Sequence, residues 1–247
     1  MSTTDEAPAK TPATRKARPK APAATLILFV RHGTTPTTGQ VLPGRAPGLH
    51  LADKGRGEAE GVAGRLAALA AEGPPADATA NGRGRPKGLR IAAVYASPME
   101  RARETAAPIA TRLGLKVNIV KGLIEMDFGE WTGAELKALR KLPEWSAVQR
   151  YPSGFQFPGG ESFSAMRGRM ADTVAALCRR HPGEAIVAVA HADPIKVAVS
   201  DALGSHLDLF QRIVISTCSV TAISYSPTGP VVITVNSTGG LGDLRPS

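Results

Sequence analysis

Apolar residues in this chain gather in two kinds of run. In the first, nearly every position is apolar or β-branched: Thr25-Leu26-Ile27-Leu28-Phe29-Val30, Ile91 to Ala96, and Ala185-Ile186-Val187-Ala188-Val189-Ala190. Such short unbroken runs suit strands covered on both faces. Lys116 to Val120 reads as a further short strand. In the second kind, apolar positions recur at helical spacing. Val62, Leu66 and Leu69 mark a helix from Asp53 to about Ala71, and Thr105, Ile109 and Leu113 a second one that stops at Gly114. Phe163, Met166, Met170, Val174 and Leu177 form the buried face of a long helix from about Glu161 to His181. A short helix is expected over 133–142 and another from Ile195 to about Leu203. Two late strands, about 220–225 and 231–236, flank the turn Ser226-Pro227-Thr228-Gly229. Strands alternating with helices predict an α/β domain with a largely parallel sheet.

The residues at the strand ends carry the chemistry. The first strand stops on Arg31-His32-Gly33, and the third apolar run stops on His191. The second ends in Ser97-Pro98-Met99-Glu100, which reads as an N-cap, a first-turn proline and the glutamate of a capping box. That reading places Arg101 in the first turn of a helix, beside free backbone N–H groups. Asp193-Pro194 is expected to cap and open the helix after His191. Right-handed crossovers bring the carboxyl ends of parallel strands to one edge, where ligands of such sheets bind. His32, His191, Arg31 and Arg101 would meet there as a phosphate site. No histidine spacing or carboxylate cluster suggests a metal, so the arginines would supply the positive charge.

Composition changes this picture little. The 247 residues carry a net charge of +9, which by itself would suggest nucleic acid. However, Lys10, Arg15, Lys16, Arg18 and Lys20 stand against only Asp5 and Glu6 near the start, and Arg83, Arg85, Lys87 and Arg90 fall in one Gly/Pro-rich stretch. These two segments hold most of the excess, and a solvated tail and loop account for it without a nucleic-acid partner. The expected organisation is a disordered basic arm over 1–23, a single domain over 24–241 with a flexible insertion at 73–88, and a tail over 242–247. Cys178 and Cys218 stand alone with no CxxC spacing, as in a reducing compartment. Neither a signal-peptide core nor an apolar run near the ~18 residues of a membrane span is present, so a cytoplasmic location is expected.

Four motifs in order then resemble one family. They are Arg31-His32-Gly33; Ser97-Pro98-x-x-Arg101-Ala102-x-x-Thr105-Ala106; Leu123-x-Glu125-x-x-Phe128-Gly129-x-Trp131-x-Gly133; and the strand ending in His191. Over about 24–241 the chain looks like the histidine phosphatase, or phosphoglycerate-mutase-like, superfamily, and is closer to its phosphatase branch. The resemblance implies a three-layer α/β/α fold with a mostly parallel mixed sheet and helices on both faces. It implies that His32 accepts the phosphoryl group, that Arg31, Arg101 and His191 hold its oxygens, and that Glu125 protonates the leaving oxygen and later activates water. It implies a small phosphorylated substrate and no metal or cofactor. An ordinary glutamate near pKa 4.3 is protonated only about once in 500 at pH 7, so Glu125 needs a raised pKa.

The family's usual Asn stands here as Thr38, kept as a candidate phosphate contact, and the glycine that usually follows the second histidine is Ala192, whose backbone N–H is another. Asp193 would bring negative charge close by unless it turns away as the helix cap. Arg45, Arg167 and Arg169 are candidate substrate contacts, and the loops at 34–50 and 143–160 candidate pocket walls. Phe128 and Trp131 read as packing residues, and His50, His181 and His206 as surface residues. The leading function is a phosphomonoester hydrolase with a phosphohistidine intermediate. The alternatives are a phosphomutase and a catalytically weak relative that binds phosphorylated ligands or proteins. Oligomeric state is left open.

Overall fold

The computed structural model of the chain describes residues 23–71 and 89–239. The basic arm up to residue 22, the insertion at 73–88 and the tail at 242–247 lie outside the described residues. Six strands form one sheet in the order β3-β2-β4-β1-β5-β6, with β1 at Thr25–Arg31, β2 at Ile91–Ala96, β3 at Val117–Ile119, β4 at Ala185–Ala190, β5 at Val220–Ser226 and β6 at Gly229–Ser237. The four strands from β3 to β1 run parallel. The hairpin β5–β6 adds to β1 antiparallel, giving the mixed sheet.

Side-chain alternation along the central strands divides the core in two. From β1, Leu26, Leu28 and Val30 join Val187 and Val189 of β4 on one face, packed against Val62, Leu66 and Leu69 of α1 (Asp53–Ala71) and Ala106 and Ile109 of α2 (Glu100–Leu113). Ile27 and Phe29 point the other way with Ile186 and Ala188, against Met166, Met170 and Leu177 of a long helix and Ile195 and Val199 of the last one. Two short helices, α3 (Leu136–Leu139) and α4 (Trp145–Arg150), precede the long helix α5 (Phe163–Arg180), and α6 spans Ala192–Ala202. The result is the three-layer α/β/α arrangement. Every residue from Leu26 to Val30 is at most 5% exposed, and burying each such large side chain contributes about 1.5–3 kcal/mol. That explains why the first strand reads as a continuous apolar run.

Register sets the working edge. Arg31 pairs with Ala190, and Ala96 pairs with Val189, so β1, β2 and β4 end level with one another. The residues that leave these strands, His32, Ser97 and His191, therefore emerge side by side.

Several expectations are corrected in detail. α2 starts at Glu100 with Met99 as its N-cap, and no capping box forms. Ser97 is still tied into the sheet through its N–H to the Val189 carbonyl (2.9 Å), so it stands too early to cap. His191, not Asp193, is the N-cap of α6, because the Ile195 N–H already bonds the His191 carbonyl at 3.2 Å. Asp193 sits in the first turn and pairs with Lys196 at 3.1 Å. α4 lies inside the stretch read as a loop. His181 is buried rather than superficial: its ring bonds the Tyr95 hydroxyl and the Glu184 carboxylate, each at 2.7 Å.

Candidate active site

His32 leaves β1 at the sheet edge, 5% exposed, with its backbone N–H on the Ala190 carbonyl. Its Nδ1 lies 2.8 Å from the Gly33 carbonyl oxygen. A carbonyl can only accept, so Nδ1 carries the proton and Nε2 keeps its lone pair. Burial, then the neighbouring Arg101 and Arg31, push the His32 pKa down to about 3, which holds the ring neutral. Gly33 is required sterically. A Cβ there would lie 2.5 Å from the Gly55 carbonyl oxygen, where α1 crosses beneath the loop.

Arg101 is completely buried. Its Nε donates toward His32 Nε2 at 3.3 Å, and its Nη2 donates to the Gly44 carbonyl at 2.8 Å. Thr105, one turn further along α2, receives the Gly33 N–H at 3.0 Å and donates to the Arg101 carbonyl at 2.7 Å. That hydroxyl ties the first motif to the second. Arg31 donates from Nη1 to the Ile215 carbonyl at 2.7 Å.

His191, fully buried, stands 5.1 Å from His32 between ring centres, in an edge-to-face arrangement. Its Nε2 lies 2.7 Å from Ser97 Oγ, and Ser97 Oγ also receives the Met99 N–H. The Ser97 hydroxyl is free to donate to Nε2 while accepting from Met99, and in that arrangement the His191 proton is on Nδ1. Burial first, then His32, Arg101 and Arg31, hold the His191 pKa well below its ordinary value. Nδ1 faces Glu125 Oε2 at 3.8 Å.

Glu125 is 8% exposed, and its Oε1 accepts the Met126 N–H at 2.9 Å. Burial, reinforced by Asp193 and opposed by Arg101, raises its pKa to about 7. Among the described residues, Arg31 Nε, Arg101 Nη1 and His191 Nδ1 are buried polar atoms without a hydrogen-bond partner. Unpaired buried donors cost about 1–3 kcal/mol each, and a bound anion would satisfy them.

The five principal residues read from the sequence are thus brought together. Thr38 turns its hydroxyl to Thr35, accepting the Thr35 N–H at 2.8 Å and meeting its hydroxyl at 2.9 Å. Ala192 opens α6, so its N–H has no acceptor within the helix. The three candidate arginines are otherwise engaged. Arg167 pairs with Asp201 at 2.6 Å, and Arg45 and Arg169 bond carboxylates and main-chain carbonyls. Phe128 and Trp131 pack in an aromatic cluster with Phe155, Phe157 and Trp145. Sequence reasoning missed Ser97 as the partner of His191 and Gly44 as the carbonyl that holds Arg101. Thr105 stands in the second motif four residues after Arg101, a spacing that sets both on one helix face.

The sequence model of the histidine phosphatase superfamily (branch 1) matches residues 77–238, a span that holds Arg101, Glu125 and His191 and begins after His32. The bifunctional protein Rv2228c of Mycobacterium tuberculosis is 32% identical over 153 residues, 61% of this chain and 42% of that protein. Phosphoserine phosphatase 1 of Hydrogenobacter thermophilus is 28% identical over 153 residues, 61% of this chain and 72% of that protein. The match thus spans less than half the length of the first group of curated relatives. Among solved structures, the mycobacterial glucosyl-3-phosphoglycerate phosphatase Rv2419c superposes with a TM-score of 0.71 at 21% identity, covering 87% of this chain and 100% of that one. By the family match and by its fold, this chain belongs to the histidine phosphatase superfamily, branch 1.

Proposed function

We propose that the protein hydrolyses phosphomonoesters of small molecules through a phosphohistidine on His32. The observation that carries this reading is the set of three unpartnered buried donors, on Arg31, Arg101 and His191, around the unprotonated Nε2 of a neutral histidine. A phosphoryl group would take all three donors in place of water and meet Nε2 in line. The names of the phosphoserine phosphatase and the glucosyl-3-phosphoglycerate phosphatase among its relatives and structural neighbours support a small phosphorylated substrate.

Two steps complete the reaction. His32 Nε2 forms a bond to phosphorus as the ester P–O bond breaks, and the Glu125 carboxyl gives its proton to the departing oxygen. The Glu125 carboxylate then takes a proton from water, whose oxygen attacks phosphorus. The P–N bond breaks, inorganic phosphate leaves, and His32 returns neutral with Glu125 reprotonated. Arg31, Arg101 and the His191 Nδ1–H hold the equatorial oxygens throughout. A carboxyl with a pKa of about 7 is present in both protonation states at neutral pH, which suits one residue to both roles.

A phosphomonoester panel read as phosphate release tests this, with alkaline-denaturant trapping of the phosphoenzyme, whose P–N bond survives base and hydrolyses in acid, and His32→Ala as control. Release and trapping by the wild type, both abolished in His32→Ala, are expected. Isomer formation without phosphate release would replace hydrolase with mutase, and turnover surviving in His32→Ala would remove the proposed nucleophile.

A further inference from the structure

Glu125 projects from backbone that belongs to no strand or helix, between 3₁₀ turns at Lys121–Leu123 and Gly129–Trp131. Irregular backbone cannot place a proton donor to a fraction of an ångström unless other groups hold it. Two arginines from distant elements do so. Arg45, in the loop after β1, donates from Nε to the carbonyl of Glu125 itself at 2.8 Å. Arg169, on α5, donates from Nη1 to the carbonyls of Gly122 and Ile124 at 2.7 and 2.9 Å.

Both guanidinium groups then converge on one carboxylate. Glu161 Oε2 accepts from Arg45 Nη2 and from Arg169 Nη2, each at 2.9 Å, and Glu161 Oε1 accepts from Arg169 Nε at 3.0 Å. The Glu161 side chain is only 13% exposed. Its backbone N–H bonds the Asp127 carbonyl at 2.9 Å, and the two segments lie so close that a Cβ on Gly160 would sit 2.5 Å from that same oxygen. Asp127 also faces Arg45, at 3.3 Å, but it is 40% exposed and touches only one of the two arginines.

Two cations side by side repel, and Glu161 is the charge that lets both aim inward at carbonyls rather than outward at water. We propose that Glu161 is a positioning residue for Glu125: by gathering Arg45 and Arg169 it fixes the backbone from which the acid–base carboxyl projects. The inference rests on the role given to Glu125 above, and assigns Arg45 and Arg169 to that carboxyl rather than to substrate.

Misplacing the proton donor matters in proportion to the leaving group's need for a proton. The full-length Glu161→Gln variant is therefore compared with wild type on two esters. With glycerol 2-phosphate, whose alkoxide must be protonated, turnover is expected to fall about 10- to 100-fold, part of the ~10²–10⁴ that a general acid supplies. With 2,4-dinitrophenyl phosphate, whose phenolate leaves unaided, the burst of dinitrophenolate that reports His32 phosphorylation should stay within about twofold of wild type. Equal losses on both esters would overturn the positioning role, since general structural damage does not discriminate between leaving groups. If Glu161→Gln does not fold, Arg45→Lys is read in the same way, because it keeps the cation but removes the Nε donor to the Glu125 carbonyl. A wild type that forms no phosphoenzyme detectable by alkaline-denaturant trapping would instead overturn the phosphohistidine reading, and the present inference with it.

Discussion

The pH dependence of turnover isolates the environment of Glu125. An isolated glutamate has a pKa near 4.5, and in this site burial and Asp193 raise it to about 7. Each pKa step is worth about 1.36 kcal/mol, so the environment favours the protonated acid by about 3 kcal/mol. At pH 7 roughly half of the molecules then hold a ready proton, against about one in 300 for an unshifted group, and at pH 8 about one in ten. The Glu125 contribution to kcat/KM for an alkyl phosphate is therefore expected to be flat between about pH 5 and 6.5 and to fall about tenfold per pH step above about 7.5. The His32 ring, with a pKa of about 3, contributes no limb in this range. Ionisation of the substrate phosphate near pKa 6 overlaps the profile, and Glu125→Gln separates the two: the substrate's limb persists, the limb near 7 disappears, and the rate drops about 10²–10⁴-fold. Stability also falls with rising pH, over a lower range. Because the folded state binds the Glu125 proton more tightly than the unfolded chain, wild-type stability declines as pH rises from about 4.5 to about 7, and Glu125→Gln should lose that part of the decline. An alkaline limb near 7 that survives in Glu125→Gln would refute the assignment.

Two further outcomes are expected. Ser97→Ala removes the hydroxyl 2.7 Å from His191 Nε2 and strands that buried nitrogen. The cost of about 1–3 kcal/mol should appear as a roughly 5- to 150-fold loss in kcat, with the circular dichroism spectrum unchanged, and an unaltered kcat would show that the His191 tautomer needs no such partner. Inorganic phosphate at about 100 times its Kd should stabilise the fold by about 2.7 kcal/mol through the unpartnered donors. Thermal melts with phosphate should register this as a rise of several degrees, lost in Arg101→Met; a rise kept in that variant would move the anion away from Arg101.

Much of the fold was legible because the buried strands are buried on both faces. Leu26 to Val30 and Ala185 to Val189 had to be apolar at every position, and the helices between them carry one apolar stripe each, so strand and helix could be told apart by period alone. Local rules failed where a tertiary contact outbid them. Ser97 has the right residue type and spacing for a capping box, but its N–H belongs to the β-ladder with Val189 and its hydroxyl to His191. His181 looked like a solvent-facing helix end because nothing local announces Tyr95, 86 positions away, as its partner.

The site divides in the same way. Arg31, His32, Arg101, Glu125 and His191 were readable from the sequence because each lies in a short motif, four of them at a strand end or the helix start that follows one, and parallel topology sends those ends to one edge. The mechanism's need for a protonated Glu125 was readable, but not what in the fold supplies it. A pKa of about 3 for His32 and about 7 for Glu125 follow from burial and from charges that approach across the fold, which no spacing encodes. The same is true of Arg45 and Arg169. As isolated cations in the sequence they read as solvated surface, with substrate contact as the alternative. Only the tertiary structure sets Glu161 between them and turns both toward the backbone of Glu125, because a hydrogen bond is decided by distance and direction in space, not by order along the chain.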